Sequence, residues 1–176
     1  CESPRTAVVA NVTAAPSISV TNSNPTICGG QTSTIAATSS NSNYSYSWTP
    51  GSLTGASQLV SPTPTTSVQT VNTYTVTATD ANGCTAITTI TVVEPTPLTA
   101  ASSATTILCN GGSATVTVTA AGGTAPYSGT GTFTVTAGTY SYTVTDANGC
   151  TATTSVTVTQ PAALTAASSA TTILCN

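Results

Sequence analysis

Apolar and polar residues alternate along most of this chain, and the alternation is clearest in its second half. In residues 140–145, tyrosine and valine alternate with serine and threonine, and residues 150–158 continue the alternation after a turn. A period of two is typical of strands that are buried on one face only. The pattern therefore predicts a β-hairpin in residues 140–158, and residues 74–92 follow the same scheme.

The two predicted hairpins share the turn sequence Asp-Ala-Asn-Gly, which begins at Asp80 in the first and at Asp146 in the second. Asn and Gly tolerate positive φ, and an Asp before them can accept hydrogen bonds from its own turn. The same residues can open an EF-hand calcium loop, but the rest of that loop, with its bidentate Glu, is missing. We therefore interpret both segments as hairpin turns and predict no metal site.

Further strands are predicted where apolar residues of one parity lie between turn residues. These residues are Ile18 and Val20, Ile35 and Ala37, Tyr44, Tyr46 and Trp48, and then Ala114, Val116 and Val118. Residues 122–131 are rich in glycine and predict a turn region with Tyr127 as its anchor. Valine, isoleucine, threonine and tyrosine suit a half-buried sheet, whereas strong helix formers are scarce. The chain is therefore predicted to be all-β.

Trp48 is the one tryptophan of the chain. An exposed tryptophan can serve as a ligand platform. On a middle strand between two cysteines, however, a lone tryptophan is typical of the core of an immunoglobulin-like sandwich. We therefore predict that Trp48 is a core residue.

The sequence of residues 98–110 recurs without a mismatch in residues 164–176, an offset of 66 residues. Self-similarity at a period of this size indicates a tandem array in which each repeat is one small domain. Proline-containing segments at 12–16, 94–97 and 160–163 are the predicted joints, because proline fixes φ and stops strands.

These joints divide the chain into four predicted parts. Residues 1–14 are predicted to be the last strand of an upstream β domain, and residues 162–176 the first strand of the next repeat. Residues 15–95 and 96–161 are each predicted to form one small β-sandwich domain. Short joints that contain proline leave little freedom, so the predicted architecture is a semi-rigid string of beads.

The composition excludes most kinds of active site. Only 3% of the residues are charged, the net charge is −3, histidine is absent, and Arg5 is the one cationic residue. Acid–base catalysis mostly uses His or paired carboxylates, and a Ser or Cys nucleophile needs a nearby base. Nucleic-acid binding needs Lys and Arg. We therefore predict a protein that is not an enzyme, with no cofactor and no nucleic-acid partner. No run of about 18 apolar residues predicts a membrane span, and no N-terminal signal segment is visible.

The six cysteines occur in two sequence contexts. The early cysteines, which follow a predicted strand, are Cys28, Cys109 and Cys175; the late cysteines, which follow Asp-Ala-Asn-Gly or resemble those that do, are Cys1, Cys84 and Cys150. Zinc sites need closely spaced Cys and His ligands, whereas these cysteines stand tens of residues apart. We therefore predict disulfides, and with them an oxidising, extracellular setting.

Four cysteines permit three connectivities, and spacing alone does not choose among them. Because the pairing has to work identically in every copy, we predict one disulfide per domain, Cys28–Cys84 in the first and Cys109–Cys150 in the second. Cys1 and Cys175 are then expected to pair with residues outside this sequence.

Three motifs in the second predicted domain match a known repeat. They are Cys109-Asn110-Gly111-Gly112, then Gly-Gly-Thr-Ala-Pro-Tyr at 122–127, and then Tyr-Thr-Val-Thr-Asp at 142–146 with Asn-Gly-Cys at 148–150. Through them residues 98–163 resemble the repeat of SprB-type surface adhesins of Bacteroidota. Residues 16–95 resemble the PKD-like or immunoglobulin-like domains that accompany such repeats. Where the usual repeat continues with aromatic residues, this chain has Ser128 and Gly129, so its domain is slimmer.

The resemblance implies β-sandwich beads, export by the type IX secretion route, a place on the cell surface or in an extracellular filament, and no catalytic residues. The leading prediction is therefore a structural, non-catalytic repeat segment of a long adhesin or filament. Its partners are neighbouring repeats of the same chain, with lateral or end-to-end self-association into fibres as a further expectation.

Two alternatives stay open. The first is a module that binds glycans, ice or another surface, although the tyrosines and Trp48 have inward parity rather than the exposure that glycan binding needs. The second is a subunit of a filament in which residues 5–13 or 165–176 complete the sheet of a neighbour.

Overall fold

Strands are the regular elements of this chain in its computed structural model, which describes residues 14, 16–39, 43–62 and 68–171. The first seven strands are β1 Ile18–Asn22, β2 Ser33–Ser39, β3 Ser45–Thr49, β4 Leu53–Thr54, β5 Ser57–Val60, β6 Thr70–Thr79 and β7 Thr85–Glu94. The next five are β8 Thr99–Ala104, β9 Ala114–Ala121, β10 Gly131–Val135, β11 Gly138–Thr145 and β12 Thr151–Val158. The prediction of an all-β chain is confirmed.

The chain divides into two compact units, Cys1–Glu94 and Pro95–Asn176. Unit 1 contains two antiparallel sheets, one in the order β1-β2-β5 and one in the order β4-β3-β6-β7. In a seven-stranded immunoglobulin sandwich, the first, second, fourth and fifth strands form one sheet and the third, sixth and seventh form the other. Unit 1 has this immunoglobulin-like arrangement except that the short β4 pairs with β3.

The inward faces of the two sheets form the core of unit 1. Ile35, Trp48, Val76 and Val92 have no exposed surface, and Ile27 joins them from the segment between β1 and β2. The indole N–H of Trp48 is satisfied inside the unit, because it donates to the carbonyl oxygen of Gly55 at 2.9 Å. The prediction that Trp48 is a core residue is confirmed.

Unit 2 is a smaller sandwich. One sheet has the order β10-β9-β8, and β11 and β12 form the other. Residues 122–130 hold no named strand, and Tyr127 anchors this segment by donating its hydroxyl to the carbonyl oxygen of Gly122 at 2.6 Å. The core is made mostly of small apolar side chains, with Phe133 and Tyr142 packed ring against ring at 4.7 Å.

Both predicted hairpins are present. Strands β6 and β7 pair antiparallel from Thr70↔Glu94 to Thr79↔Thr85, and β11 and β12 pair from Gly138↔Val158 to Thr145↔Thr151. Because side chains alternate between the faces of a strand, this register keeps the buried apolar residues of both strands on the same side, whereas Val71 and Ile87 lie on the exposed side.

The two terminal segments that the sequence assigns to adjoining repeats are not seen as strands of a described domain. Residues 1–13 lie outside the described residues, so their assignment to an upstream domain stays a prediction. Residues 162–171 are exposed and form no strand in this structure, and their assignment to a following repeat also stays a prediction. No helix capable of crossing a membrane occurs in the described part of the chain.

We expect Trp48→Ala to destabilise unit 1 by about 3–5 kcal/mol, because it leaves a cavity in a close-packed core. Urea unfolding followed by circular dichroism measures the change. Ser47→Ala is the matched control, because Ser47 is the exposed neighbour on the same strand, and it should cost no more than about 0.5 kcal/mol. Equal effects of the two substitutions would contradict the core assignment.

Candidate functional site

The two Asp-Ala-Asn-Gly turns have the same hydrogen bonds. In the first, Oδ1 of Asp80 accepts from the backbone N–H of Asn82 and of Cys84, both at 2.8 Å. In the second, Oδ1 of Asp146 accepts from the N–H of Asn148 and of Cys150, both at 2.9 Å. The glycine at the third step of each turn has a φ near +80°, which only glycine adopts without strain. The turns are therefore the predicted hairpin turns.

In the described part of the chain, Asp146 accepts a further hydrogen bond that has no counterpart at Asp80. Its other oxygen, Oδ2, accepts from the backbone N–H of Thr124 at 2.9 Å, and the N–H of Ala147 donates to the carbonyl oxygen of Thr124. Asn148 adds a bond from its side-chain amide to the hydroxyl of Thr124 at 2.8 Å. The buried carboxylate of Asp146 thus fastens the glycine-rich segment of unit 2 to its hairpin, a role that the sequence analysis missed.

The structure contradicts the predicted disulfide pairs. Cys28 and Cys150 are disulfide-bonded, whereas Cys84 and Cys109 are free thiols. Neither Cys28–Cys84 nor Cys109–Cys150 is therefore present, although disulfide bonding itself is. Cys1 and Cys175 lie outside the described residues.

Strand length explains why the predicted pair fails in unit 1. Ile27 donates its N–H to the carbonyl oxygen of Val93, so its neighbour Cys28 lies at the C-terminal end of β7. Cys84 lies directly before β7, whose ten residues span about 33 Å at the usual rise of a strand. Bridged cysteines have Cα atoms no more than about 7 Å apart. The two cysteines of unit 1 are thus at opposite ends of the sandwich.

Unit 2 repeats this arrangement. The N–H of Gly111 donates to Oε1 of Gln160 at 2.8 Å, and the side-chain amide of Asn110 donates to the carbonyl oxygen of Pro161 at 3.0 Å. These bonds hold Cys109 beside the end of β12, whereas Cys150 directly precedes the start of that strand. The sequence itself indicates how long the strand after each Asp-Ala-Asn-Gly-Cys segment is. That length would have excluded the pairs Cys28–Cys84 and Cys109–Cys150.

Glu94, the last residue of β7, is a buried acid that the sequence analysis did not single out. Only 1% of its surface is exposed, and neither of its carboxylate oxygens has a hydrogen-bond partner among the residues that the structure describes. Burial disfavours the charged form and therefore raises the pKa of Glu94 above its ordinary value of 4.5. An unpartnered buried carboxylate is destabilising when it is ionised.

The surface of unit 1 has a groove of 450 Å³ lined by Tyr44, Tyr46 and Gly55 among others, and unit 2 has one of 410 Å³ beside Gln160. Their linings are mainly serine, threonine and small apolar residues, without an acid or a cation. Tyr46 also packs against the core of unit 1. Among the described residues, no group of three or more Cys, Asp and Glu side chains is arranged to hold a metal ion.

Two antiparallel sandwiches in sequence, with disulfide-bonded cysteines, define a chain of tandem immunoglobulin-like domains. Neither a protein-family model nor a curated protein matches it. Among solved structures, three N-terminal domains of the Highly Immunogenic Outer Capsid protein (Hoc) of bacteriophage RB49 are similar, with 16% identity and a TM-score of 0.49. The N-terminal four Ig domains of Dscam1 isoform 6.44 are similar with 10% identity and a TM-score of 0.33.

The matched regions cover 83% of this chain for Hoc and 86% for Dscam1. They cover 59% of the Hoc chain and 47% of the Dscam1 chain, so this chain spans about half the length of the structures it resembles.

We expect Asp146→Asn to destabilise unit 2 by about 2–3 kcal/mol, because an amide in place of Oδ2 presents a donor to the N–H of Thr124. Asp80→Asn is the matched control in unit 1, where the second oxygen has no such donor, and it should cost less than about 1 kcal/mol. Thermal unfolding of the two variants measures the difference. A larger effect at Asp80 would contradict the second role of Asp146.

We expect Glu94→Gln to stabilise unit 1 at neutral pH. The pKa of Glu94 is raised in the folded state, so above that pKa the ionised carboxylate lowers the stability of unit 1. This loss of stability disappears as the pH falls through the raised pKa towards 4.5, because the carboxylate becomes protonated. Unfolding followed by the fluorescence of Trp48, the one tryptophan, should show the variant more stable at pH 7 and the difference shrinking at pH 4. A difference that does not depend on pH would contradict the burial of a charged Glu94.

Proposed function

We propose that this chain is a structural, non-catalytic repeat segment of a long extracellular or cell-surface adhesin or filament. One observation carries the proposal: the sequence of residues 98–110, which contains the opening strand of unit 2, recurs in residues 164–176. In a tandem array, the opening sequence of one folded unit recurs where the next unit begins. The proposed repeat boundaries are those of the sequence analysis, with domains at 15–95 and 96–161 and parts of adjoining repeats at 1–14 and 162–176.

The contents of the two units support a structural role. Each sandwich closes over a core of apolar side chains, and both oxygens of the Asp146 carboxylate accept hydrogen bonds from backbone donors. The exposed faces of the strands carry mainly threonine and serine. Disulfide-bonded cysteines are typical of proteins outside the cytoplasm, which supports an extracellular place.

The finer assignment follows the resemblance of residues 98–163 to the SprB repeat. We infer that the array belongs to the SprB-type surface adhesins of Bacteroidota and leaves the cell by the type IX route. The supporting features are the motif Cys109-Asn110-Gly111-Gly112, which forms a turn closed by the N–H of Gly112 on the carbonyl of Cys109, and the Asp146 turn.

The mechanical basis of such a role is the antiparallel ladder. Strands β6 and β7 pair over ten residues each and β11 and β12 over eight. Each ladder must be broken before its unit can lengthen, so a string of such units resists extension. Neighbouring repeats are the first partners of each unit, and an unidentified surface or glycan is the partner of the whole fibre.

A second candidate is a subunit of a strand-exchanged filament. Residues 165–170 have the sequence of β8, which in unit 2 pairs with β9, yet in this structure they are exposed and pair with nothing described. Such a segment can complete the next repeat of its own chain or the sheet of a separate chain.

Immunoblotting distinguishes the two candidates. We expect an antibody against residues 98–163 to label intact producing cells and to detect a single very large chain after boiling with detergent and reductant. A ladder of subunits of about the size of this chain under the same conditions would favour strand exchange, and labelling only after lysis would contradict a surface function.

A further inference from the structure

The described residues of unit 2 contain no counterpart of strands β3 and β4 of unit 1. The other strands correspond: β8 and β10 flank β9 as β1 and β5 flank β2, and β11 pairs with β12 as β6 pairs with β7. In unit 1, β3 pairs with β6 over five residues, from Ser45↔Thr79 to Thr49↔Thr75. The edge of β11 that faces away from β12 therefore has no neighbouring strand in the described part of unit 2.

A single residue pair of this ladder is present in unit 2. Thr145, the last residue of β11, exchanges backbone hydrogen bonds of 2.8 and 3.0 Å with Ser128. The chain then turns away at Gly129, which has a φ of +81°, and a Cβ on this glycine would collide with the carbonyl oxygen of Thr143. From there it continues to β10 in the other sheet. The edge of β11 over residues 138–142 is thus left open by the described residues of unit 2.

The backbone groups of β11 show what this open edge offers. Along a strand of an antiparallel sheet, successive residues direct their N–H and C=O groups alternately to one side and to the other. Thr145 directs its groups to Ser128, so residues of the same parity, including Thr139 and Ser141, direct theirs to the open edge. Both residues are exposed. A further strand could therefore exchange hydrogen bonds with the N–H and C=O of Thr139 and of Ser141.

Aromatic rings that are only half-buried lie beside the open edge. Tyr140 and Tyr142 alternate with the exposed residues of β11, and the rings of Tyr142 and Phe133 pack at 4.7 Å between centroids. In unit 1, β3 places Trp48 opposite Val76, the counterpart of Tyr142, and Trp48 is fully buried. The described part of unit 2 has no residue in the place of Trp48, and its own rings keep exposed surface.

The strand that covers this edge in unit 1 indicates which partner fits. Strand β3 has the sequence Ser-Tyr-Ser-Trp-Thr, and β11 itself has Thr-Tyr-Ser-Tyr-Thr in residues 139–143. Both alternate hydroxyl side chains with aromatic ones. Edge strands that avoid pairing usually carry lysine, proline or a bulge, whereas β11 has neither of these residues and pairs with β12 without interruption. The β11 strand of a second copy therefore has the chemistry that the open edge accepts.

We propose that unit 2 binds unit 2 of a second copy of this chain by antiparallel pairing of the two β11 edges. A two-fold axis passes between the two Tyr140 residues, so that Thr139 of each copy exchanges backbone hydrogen bonds with Ser141 of the other. The paired stretch, residues 138–142, is as long as the five-residue β3 and ends before the carbonyl oxygen that Gly129 covers. The two copies then share one sheet in the order β12-β11-β11-β12.

The inference rests on the proposed function and names the surface and the partner of lateral self-association. One such contact is small, so two chains in solution associate weakly and reversibly. In an array, every repeat of this kind offers the same edge, and many weak contacts then act together. Lateral binding between fibres would therefore be much stronger than binding between two single chains.

Sedimentation velocity tests the pairing. The chain is first alkylated with iodoacetamide without reductant, so that the free thiols of Cys84 and Cys109 form no bond between molecules. We expect a reversible equilibrium between monomer and dimer, with the sedimentation coefficient rising as the concentration rises. A chain that stays monomeric up to about 1 mM would overturn the proposal.

Proline variants locate the interface. Ser141→Pro removes an N–H that points to the open edge and leaves the ladder between β11 and β12 intact. We expect it to weaken dimerisation about tenfold or more, because each dimer loses two backbone hydrogen bonds. Thr153→Pro is the matched control, since Thr153 lies opposite Thr143 and its N–H points away from β11. It should leave dimerisation unchanged, and equal dissociation constants for the two variants would overturn the proposal.

Charge variants test the register without changing the backbone. In Thr139→Lys/Ser141→Lys, like charges lie opposite each other across the interface, and we expect dimerisation to weaken about fivefold or more. In Thr139→Glu/Ser141→Lys, opposite charges lie together, and dimerisation should be at least as strong as in the unmodified chain. Both variants lose the same two hydroxyl groups, and circular dichroism shows that both have folded. Equal dissociation constants for the two would overturn the proposal.

Immunoblotting of the native protein reports on the proposed function separately. A chain that is monomeric in solution, although the native protein is a single giant surface chain, would overturn the pairing alone. A dimeric chain whose native protein is labelled only after lysis would contradict the surface function alone.

Discussion

Burial of one face of every sheet against another is the constraint on which the rest of this structure depends. The chain has almost no charges and no large core, so its stability comes from alternate side chains of short strands packed between two sheets. Val76, Val116 and Val144 are fully buried, while their neighbours along the strands are threonines that face outward. The pairing register of the strands therefore matters more for the stability of the sandwiches than the identity of single residues, because a shift by one position would turn the threonines inward.

The same constraint gives the cysteines their positions. A sandwich one strand long has two ends, and the hairpin turn that precedes its last strand places the late cysteine at one of them. The early cysteine, in the turn after the opening strand, lies at the other. Small domains commonly use disulfides to offset a marginal core. In this chain the two cysteines of a unit lie at opposite ends of its sandwich, so a unit does not bridge them.

Local patterns predicted much of the fold. The hairpins, the Asp-Ala-Asn-Gly turns and the core position of Trp48 are confirmed, because period, turn chemistry and parity act over a few residues. The disulfide pairs were wrong, and the burial of Glu94 and the contact of Asp146 with Thr124 were missed. The disulfide pairs, the burial of Glu94 and the contact of Asp146 with Thr124 all depend on which strand ends lie close together in the folded domain. Strand length and sheet order determine this, and the prediction of disulfide pairs from the repeat pattern did not consider them.

One repeated sequence separates what local sequence determines from what tertiary structure determines. In residues 99–104 it forms β8, hydrogen-bonded to β9, and in residues 165–170 the same letters are exposed and irregular. The sequence by itself determined the alternation, the turns and the repeat, because these need only neighbouring residues. Tertiary structure decided which segments became strands and which cysteines were bonded, because a strand needs a partner to satisfy its backbone and a disulfide needs two sulfurs within reach.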